Sequence, residues 1–277
     1  MPSDIEPFPE PDFSSKRYRF IDTHCHFDFP LFYDAAPESL RLAQDAGVER
    51  IIIPAVASQH FERVLTLVRT YSPLYAALGL HPLYIAEHQE SDLLRLEEEL
   101  SHQPQKLVAV GEIGLDLYMP DPQFERQLAF LEAQLRLAKK HDLPTILHSR
   151  RSHDRLAQLL RRIEVPRTGV VHGFAGSLAQ AQAFIRLGYY IGVGGTITYD
   201  RANKTRQAIA QLPLDWLLLE TDAPDMPMSG YQGQPNRPER ITSAFHTLCA
   251  LRTEPPEVIA EALWQNSLRL FGQLVPA

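Results

Sequence analysis

The chain is predicted to be an α/β protein whose strands close into a (β/α)8, TIM-like barrel. Three observations predict it. Eight short aliphatic or β-branched runs recur along the 277 residues. Segments with helical periodicity separate them. Side chains of metal-ligand type close five of the runs, starting with His24-Cys25-His26. Strands buried on both faces and joined by helical crossovers are parallel. Eight such repeats favour a closed barrel over an open doubly wound sheet.

Met1 to Arg17 is acidic and carries Pro2, Pro7, Pro9 and Pro11, so residues 1–17 are expected to form a disordered arm. The arm lacks the basic start and apolar stretch of a secretion signal. The first run, Tyr18 to Ile21, leads into Asp22 and the His-Cys-His tripeptide. If the strand continues, side chains alternate with period two, so His24 and His26 share a face and Cys25 points away. Asp22 lies on the histidine face, where it could orient one imidazole. Cys25 reads as a buried small hydrophobe.

A helix follows from near Pro37 to Gly47, and strands are expected at Ile51 to Val56, Leu74 to Leu80 and Leu107 to Ile113. The clearest helical period spans Pro122 to His141, through Phe124, Leu128, Leu131, Leu135 and Ala138, with Asp121 as its expected cap. Strands at Thr145 to His148 and Gly169 to His172 come next. A helix capped by Ser177 runs to Leu187, ahead of Gly188. The last strands are Tyr189 to Ile197 and Trp216 to Glu220. The irregular stretch Asp225 to Pro238 suggests a functional loop, a lid or strand-binding edge on which Tyr231 could stack a base. Helices at Glu239 to Leu251 and Pro256 to Phe271 finish the outer layer. No composition shift divides the chain, so residues 18–277 are expected to form one domain.

Hydrophobic content of 44% and charged content of 22% suit a globular protein with ample core. No apolar run approaches the ~18 residues of a membrane span. Two cysteines make no disulfide framework, which suits a reducing cytoplasm. A net charge of −7 argues against a general nucleic-acid coat. It leaves room for a phosphate substrate held through metal ions, which bring their own charge.

Glu112 follows Leu107-Val-Ala-Val-Gly, His148 follows Pro144-Thr-Ile-Leu, His172 follows Gly169-Val-Val, and Asp222 follows Leu217-Leu-Leu-Glu-Thr. Each closes a strand, on the rim where barrel active sites sit. Carboxylates at strand ends also serve as turn residues and caps, but five strands ending this way point to a metal site built from His24, His26, Glu112, His148, His172 and Asp222. His81, in Gly79-Leu-His-Pro, ends the third strand and could meet substrate or a further metal, or hydrogen-bond a ligand residue. Arg150, Arg151 and Arg155 form a basic cluster in which Arg150 is the candidate phosphate clamp, and His153 reads as surface. Gly192, Gly194 and Gly195 lack the lysine of a phosphate loop and read as close packing. His60, His88, His102, His141 and His246 fall away from the rim.

Phe20-Ile-Asp-Thr-His-Cys-His, Gly79-Leu-His-Pro, Val110-Gly-Glu-Ile-Gly-Leu-Asp, Leu147-His-Ser-Arg, Val171-His-Gly-Phe and Glu220-Thr-Asp-Ala-Pro together resemble the TatD family of metal-dependent deoxyribonucleases. The resemblance spans residues 18 to 272. Leu147-His-Ser-Arg-Arg, Gly192-Val-Gly-Gly-Thr-Ile-Thr-Tyr and Gly233-Gln-Pro-Asn-Arg-Pro are most similar to its YjjV-type branch. It implies a barrel of the metal-dependent, amidohydrolase-like hydrolase superfamily, two divalent cations per subunit (Mg, Mn or Zn), and hydrolysis of DNA phosphodiesters by a metal-activated hydroxide. A 3′-to-5′ exonuclease acting on single-stranded or frayed ends is the expected form, with no stable protein partner. By position, His24, His26 and Asp222 would hold one metal, His148 and His172 the other, and Glu112 would bridge them. Asp222 would also move the proton. Two alternatives stand beside the nuclease: another ester or amide hydrolase on the same metals, such as an aminoacyl-RNA deacylase, and a non-catalytic metal-binding scaffold.

Overall fold

The computed structural model describes residues 17–274. The arm expected over residues 1–17 therefore lies outside the described residues, apart from Arg17. The strands are β1 (Phe20–Asp22), β2 (Val48–Pro54), β3 (Leu74–Leu78), β4 (Leu107–Asp116), β5 (Thr145–Arg150), β6 (Gly169–Val171), β7 (Tyr189–Val193) and β8 (Leu217–Leu219). They pair in parallel in sequence order, making one eight-stranded sheet. Beyond the ladder's last strand the ring is closed by backbone hydrogen bonds. Thr23 N donates to Leu219 O (3.1 Å), Asp222 N to His24 O (2.8 Å) and His26 N to Ala223 O (2.8 Å). The segments that carry His24, His26 and Asp222 are thus the seam of the barrel.

Ten α-helices surround the sheet: α1 (Pro30–Tyr33), α2 (Ala36–Asp45), α3 (Phe61–Thr70), α4 (Glu90–Ser101), α5 (Phe124–Lys140), α6 (His153–Arg162), α7 (Leu178–Arg186), α8 (Asn203–Gln211), α9 (Ile241–Leu251) and α10 (Pro256–Leu270), counted among the described residues. Period-two alternation divides the strand side chains between two cores. Ile51, Ile53, Leu74 and Ala76 join the strand–helix layer. Ile52, Tyr75, Ala77, Val108, Ile146, Val170, Tyr190 and Leu218 form a separate cluster that Trp264, Leu270, Phe271 and Leu274 complete. The barrel is therefore filled below the level of the ligand residues.

Several boundaries differ from expectation. β1 stops at Asp22, so His24 and His26 sit past the ladder on the seam. β7 stops at Val193, and Gly195–Thr198 turns as a 3-10 helix. β4 and β5 run on to Asp116 and Arg150, beyond the expected Ile113 and His148. Asp121 does not cap α5: the helix starts at Phe124 after Gln123, which takes a left-handed φ of 43°. By contrast, Ser177 caps α7 as expected, accepting from Gln180 N at 3.1 Å within a capping box. Among the described residues no helix is long and apolar enough to cross a membrane. Cys25 and Cys249 are both free and buried.

Candidate metal centre

Glu112 lies in the middle of the barrel mouth, 1% exposed, and imidazoles approach both of its carboxylate oxygens. His24 Nε2 is 3.0 Å and His26 Nε2 is 3.5 Å from Oε2. His172 Nε2 is 2.7 Å, His81 Nε2 2.9 Å and His148 Nδ1 3.2 Å from Oε1. Asp222 meets the first pair from the seam, its Oδ1 3.4 Å from His24 Nε2 and 3.3 Å from His26 Nε2. The structure thus brings together all six residues expected from the strand ends, and His81 as a seventh. Nothing but imidazole meets these two carboxylates: among the described residues neither makes an ion pair with lysine or arginine.

Local sequence explains the placement. Glu112, Gly114 and Asp116 alternate on one face of β4, and His148 and Arg150 on one face of β5. A Cβ at Gly114 would come within 1.9 Å of His148 O, so only glycine lets the two strands meet there. Asp222 has a φ of 60°, unusual for a residue other than glycine, which turns its carboxylate back across the seam. The expected packing role of the glycine run also holds, since a Cβ at Gly192 would lie 2.6 Å from Glu220 Oε2.

Charge balance follows from burial. Burial disfavours charge on Glu112, yet His81, His172, His24 and His148 outweigh it and hold the carboxyl well below its ordinary range. Asp222 is lowered too, against its burial, by His26 first. Burial opposes charge on His26, but the bond to Asp222 and the field of Glu112 raise its pKa to about 9. His172 is likewise raised, by Glu112 and Glu220 against burial. His24 goes the other way, lowered by burial and by His172, whose ring stacks on it with centroids 3.7 Å apart.

His81 meets the same carboxylate but is a different kind of neighbour. Its Nδ1 accepts from Leu83 N at 3.0 Å, so the proton of the neutral ring sits on Nε2. Burial lowers its pKa to about 4, which keeps it neutral. His81 is therefore a hydrogen-bond donor towards Glu112, although its position alone would also suit a ligand. The buried His88, expected to lie away from the rim, donates Nε2 to His81 O (2.8 Å) and braces that loop.

Two carboxylates that meet candidate ligands escaped the sequence reading. Asp116 Oδ2 lies 2.7 Å from His148 Nε2 and its Oδ1 accepts from Tyr118 N at 2.9 Å. This fixes His148 with Nδ1 facing Glu112. Glu220 Oε1 is 3.4 Å from His172 Nδ1 and accepts from Gly173 N. Their signal was the period-two spacing to Glu112 and Asp222. Asp22, expected to orient an imidazole, instead takes Thr221 Oγ1 (2.6 Å), Thr221 N (3.0 Å) and His24 N (3.2 Å), so it fixes the backbone of the seam. His153 is buried and not on the surface as expected, because Ser149 Oγ and Ala175 O satisfy its two nitrogens at 2.7 Å each. The loop ending at Pro238 is anchored by buried Asn236, which donates to Thr221 O (2.8 Å) and Met226 O (3.1 Å), while Tyr231 stands at its surface with Arg240 over the ring.

Nitrogen and carboxylate donors without a competing cation fit a divalent metal, the imidazoles suiting zinc and the carboxylates manganese or magnesium. Three sets of ligand atoms converge closely enough for an ion: His24–His26–Glu112, His24–His172–Asp222 and His81–Glu112–His148, the last limited by the proton on His81. The family model described as "TatD related DNase" matches residues 21–272. An Escherichia coli K12 protein named "Uncharacterized metal-dependent hydrolase YjjV" is 61% identical over 92% of this chain and 98% of its own. A Haemophilus influenzae "Uncharacterized metal-dependent hydrolase" is 49% identical over 91% of this chain and 99% of its own. The crystal structure of the E. coli YjjV protein, a TatD homologue, superposes with a TM-score of 0.92 at 60% identity, covering 94% of this chain and all of that one. The chain belongs to the TatD family and is a metal-dependent hydrolase.

Proposed function

We propose that this hydrolase is a deoxyribonuclease that removes nucleotides from single-stranded or frayed DNA ends, in the 3′-to-5′ direction, with two divalent cations. The observation that carries the two-metal part is Glu112, whose Oε2 faces His24 and His26 and whose Oε1 faces His148 and His172. His24, His26 and Asp222 would hold one cation, His148 and His172 the other, with Glu112 between them. When bound, such a pair polarises a phosphoryl oxygen and lowers the pKa of water. DNA as the substrate follows the description of the family model.

The residues divide the remaining work by exposure. Glu112 is sealed from solvent, whereas the Asp222 side chain is 15% exposed at the mouth. Asp222 is therefore assigned to take a proton from the attacking water and return it to the leaving oxygen. His81 donates its Nε2 proton towards Glu112 Oε1, and where the cations would take up that carboxylate it is assigned to a substrate oxygen. Arg150, two residues past His148 on the same strand face, is assigned to a substrate phosphate. The free buried thiols suit the cytoplasm, where we place the protein.

The test is a time course on a 5′-labelled single strand with Mg, Mn or Zn, with chelator, Asp222→Asn and Glu112→Gln as controls. A ladder shortening from the 3′ end is expected, and each variant should lose at least about 100-fold in turnover while keeping its fold. Near-normal activity in a metal-verified Glu112→Gln protein would remove Glu112 from the centre. Absence of cleavage with every cation, alongside hydrolysis of a charged RNA ester or a small amide, would overturn the nuclease assignment.

A further inference from the structure

Tyr118, Arg150 and Arg151 form a second constellation beside the metal centre. The Arg150 and Arg151 guanidinium carbons lie 4.0 and 4.2 Å from the centroid of one tyrosine ring, which is itself 50% exposed. Exposed arginines ordinarily do no more than solvate a surface. Three features set this pair apart. Among the described residues neither guanidinium makes an ion pair or a hydrogen bond, as is also true of the single arginines over Phe124 and Tyr199, whereas Arg19 and Arg50, the other two that share one ring, are held over Trp264 by Glu261 and Leu274 O. Two like charges gathered on one ring are relieved by an anion placed between them. Arg151 also takes a left-handed φ of 53°, a conformation that costs energy and turns its side chain towards its neighbour's ring.

The constellation is tied to the ligands. Asp116 pairs with Arg150 in the β4–β5 ladder, and Leu117 N donates to Arg150 O at 2.9 Å. Asp116 then joins the two sites through its carboxylate, one oxygen on His148 Nε2 and the other on Tyr118 N. Arg150 lies two residue steps along β5 from His148, about 6.6 Å. Phosphates rise roughly 3.4 Å per nucleotide along a stacked duplex axis, and an extended single strand spaces them farther apart. The pair therefore stands about one phosphate from a bond cleaved at the metal centre.

We propose that Arg150 and Arg151, held in place by the Tyr118 ring, form a subsite for the phosphodiester phosphate flanking the scissile one. This rests on the nuclease assignment above and extends it. The two guanidiniums bind the flanking phosphate and Tyr118 is a positioning residue. Its ring keeps both side chains ordered before substrate arrives, so less rotamer freedom is lost on binding. The arrangement selects for a strand that continues beyond the cleaved bond over a small diester.

The test pairs enzyme variants with substrate variants. Single-stranded deoxyoligonucleotides, each with one uncharged methylphosphonate linkage at a defined distance from the cleaved end, are hydrolysed by wild-type protein, Arg150→Gln/Arg151→Gln, Tyr118→Leu and Tyr118→Phe. In wild type, neutralising one particular linkage should raise KM about 10-fold with kcat little changed. In the double variant KM for the fully charged strand should already be about 10-fold higher, and the neutral linkage should add nothing. Tyr118→Phe should behave as wild type and Tyr118→Leu should fall between. The slope of log KM against log salt should also drop by about 0.7 for each phosphate that the variant no longer neutralises. Additive effects of the double variant and the neutral linkage at every position would overturn the subsite. A wild-type protein that cleaves no charged strand with Mg, Mn or Zn would instead overturn the nuclease assignment, and the subsite with it.

Discussion

Replacing Asp116 with Asn isolates what the β4–β5 pairing contributes to the metal centre. In the native protein both carboxylate oxygens of Asp116 act as acceptors, one for His148 Nε2 at 2.7 Å and one for Tyr118 N at 2.9 Å. An asparagine amide of the same shape has one acceptor and one donor, so it cannot satisfy both. If its oxygen faces Tyr118 N, its NH2 faces His148 Nε2 and drives that ring's proton to Nδ1, the nitrogen that looks at Glu112. If its oxygen faces His148, a buried N–H is left opposite an NH2 group. Either way a charge-assisted hydrogen bond is lost, about 1.5–3 kcal/mol. At 1.36 kcal/mol per decade that is roughly 10- to 150-fold in affinity, which agrees with the usual 10- to 100-fold effect of a group behind a metal ligand. The assay is calorimetric titration of chelated protein with zinc or manganese. One of two binding events should weaken by this factor while the other stays within about 3-fold, because Asp116 bonds neither His24 nor His26. Two unchanged affinities in a folded Asp116→Asn protein would refute the reasoning.

Acidity gives a further expectation. His26 is raised to about 9, above the ordinary 6.5 of the unfolded chain. In chelated protein its charge therefore adds stability that is fully present below pH 6.5 and is lost as pH rises through about 9. Urea midpoints of the chelated protein should fall across that interval, and a flat profile would contradict the ion pair with Asp222. Metal must displace the same proton, so binding at pH 7 should release at least about one proton, read from calorimetry in buffers of different ionisation heat. Gly192→Ala would place a Cβ 2.6 Å from Glu220 Oε2 and 2.9 Å from His172 Cα. Overpacking against backbone costs about 1–3 kcal/mol, and Tm should drop by roughly 2–4 °C for each kcal/mol. An unchanged Tm would show that Glu220 can move aside and does not hold His172.

Much of the site was legible because strand geometry is local. A side chain's face follows from its parity along the strand, so Glu112, His148, His172 and Asp222 could each be assigned to the rim from their own runs. Eight repeats and the absence of a composition break carried the barrel in the same way. Helix ends were less secure. Ser177 met a glutamine three residues on and capped as expected, but the left-handed Gln123 displaced the start of α5 beyond the reach of Asp121.

The sequence by itself determined which residue types close the strands and on which face they stand, and hence that a cluster of imidazoles and carboxylates must gather at one mouth. Tertiary structure alone decided how those groups pair. Asp116 finds His148 across 32 residues only because Gly114 lets β4 and β5 touch. His81 turns its Nε2 proton towards Glu112 because its loop folds Leu83 N onto Nδ1. The physical reason is range: periodicity is set by bond geometry within a few residues, whereas the proton position on an imidazole is set by whichever distant group the register brings within about 3 Å.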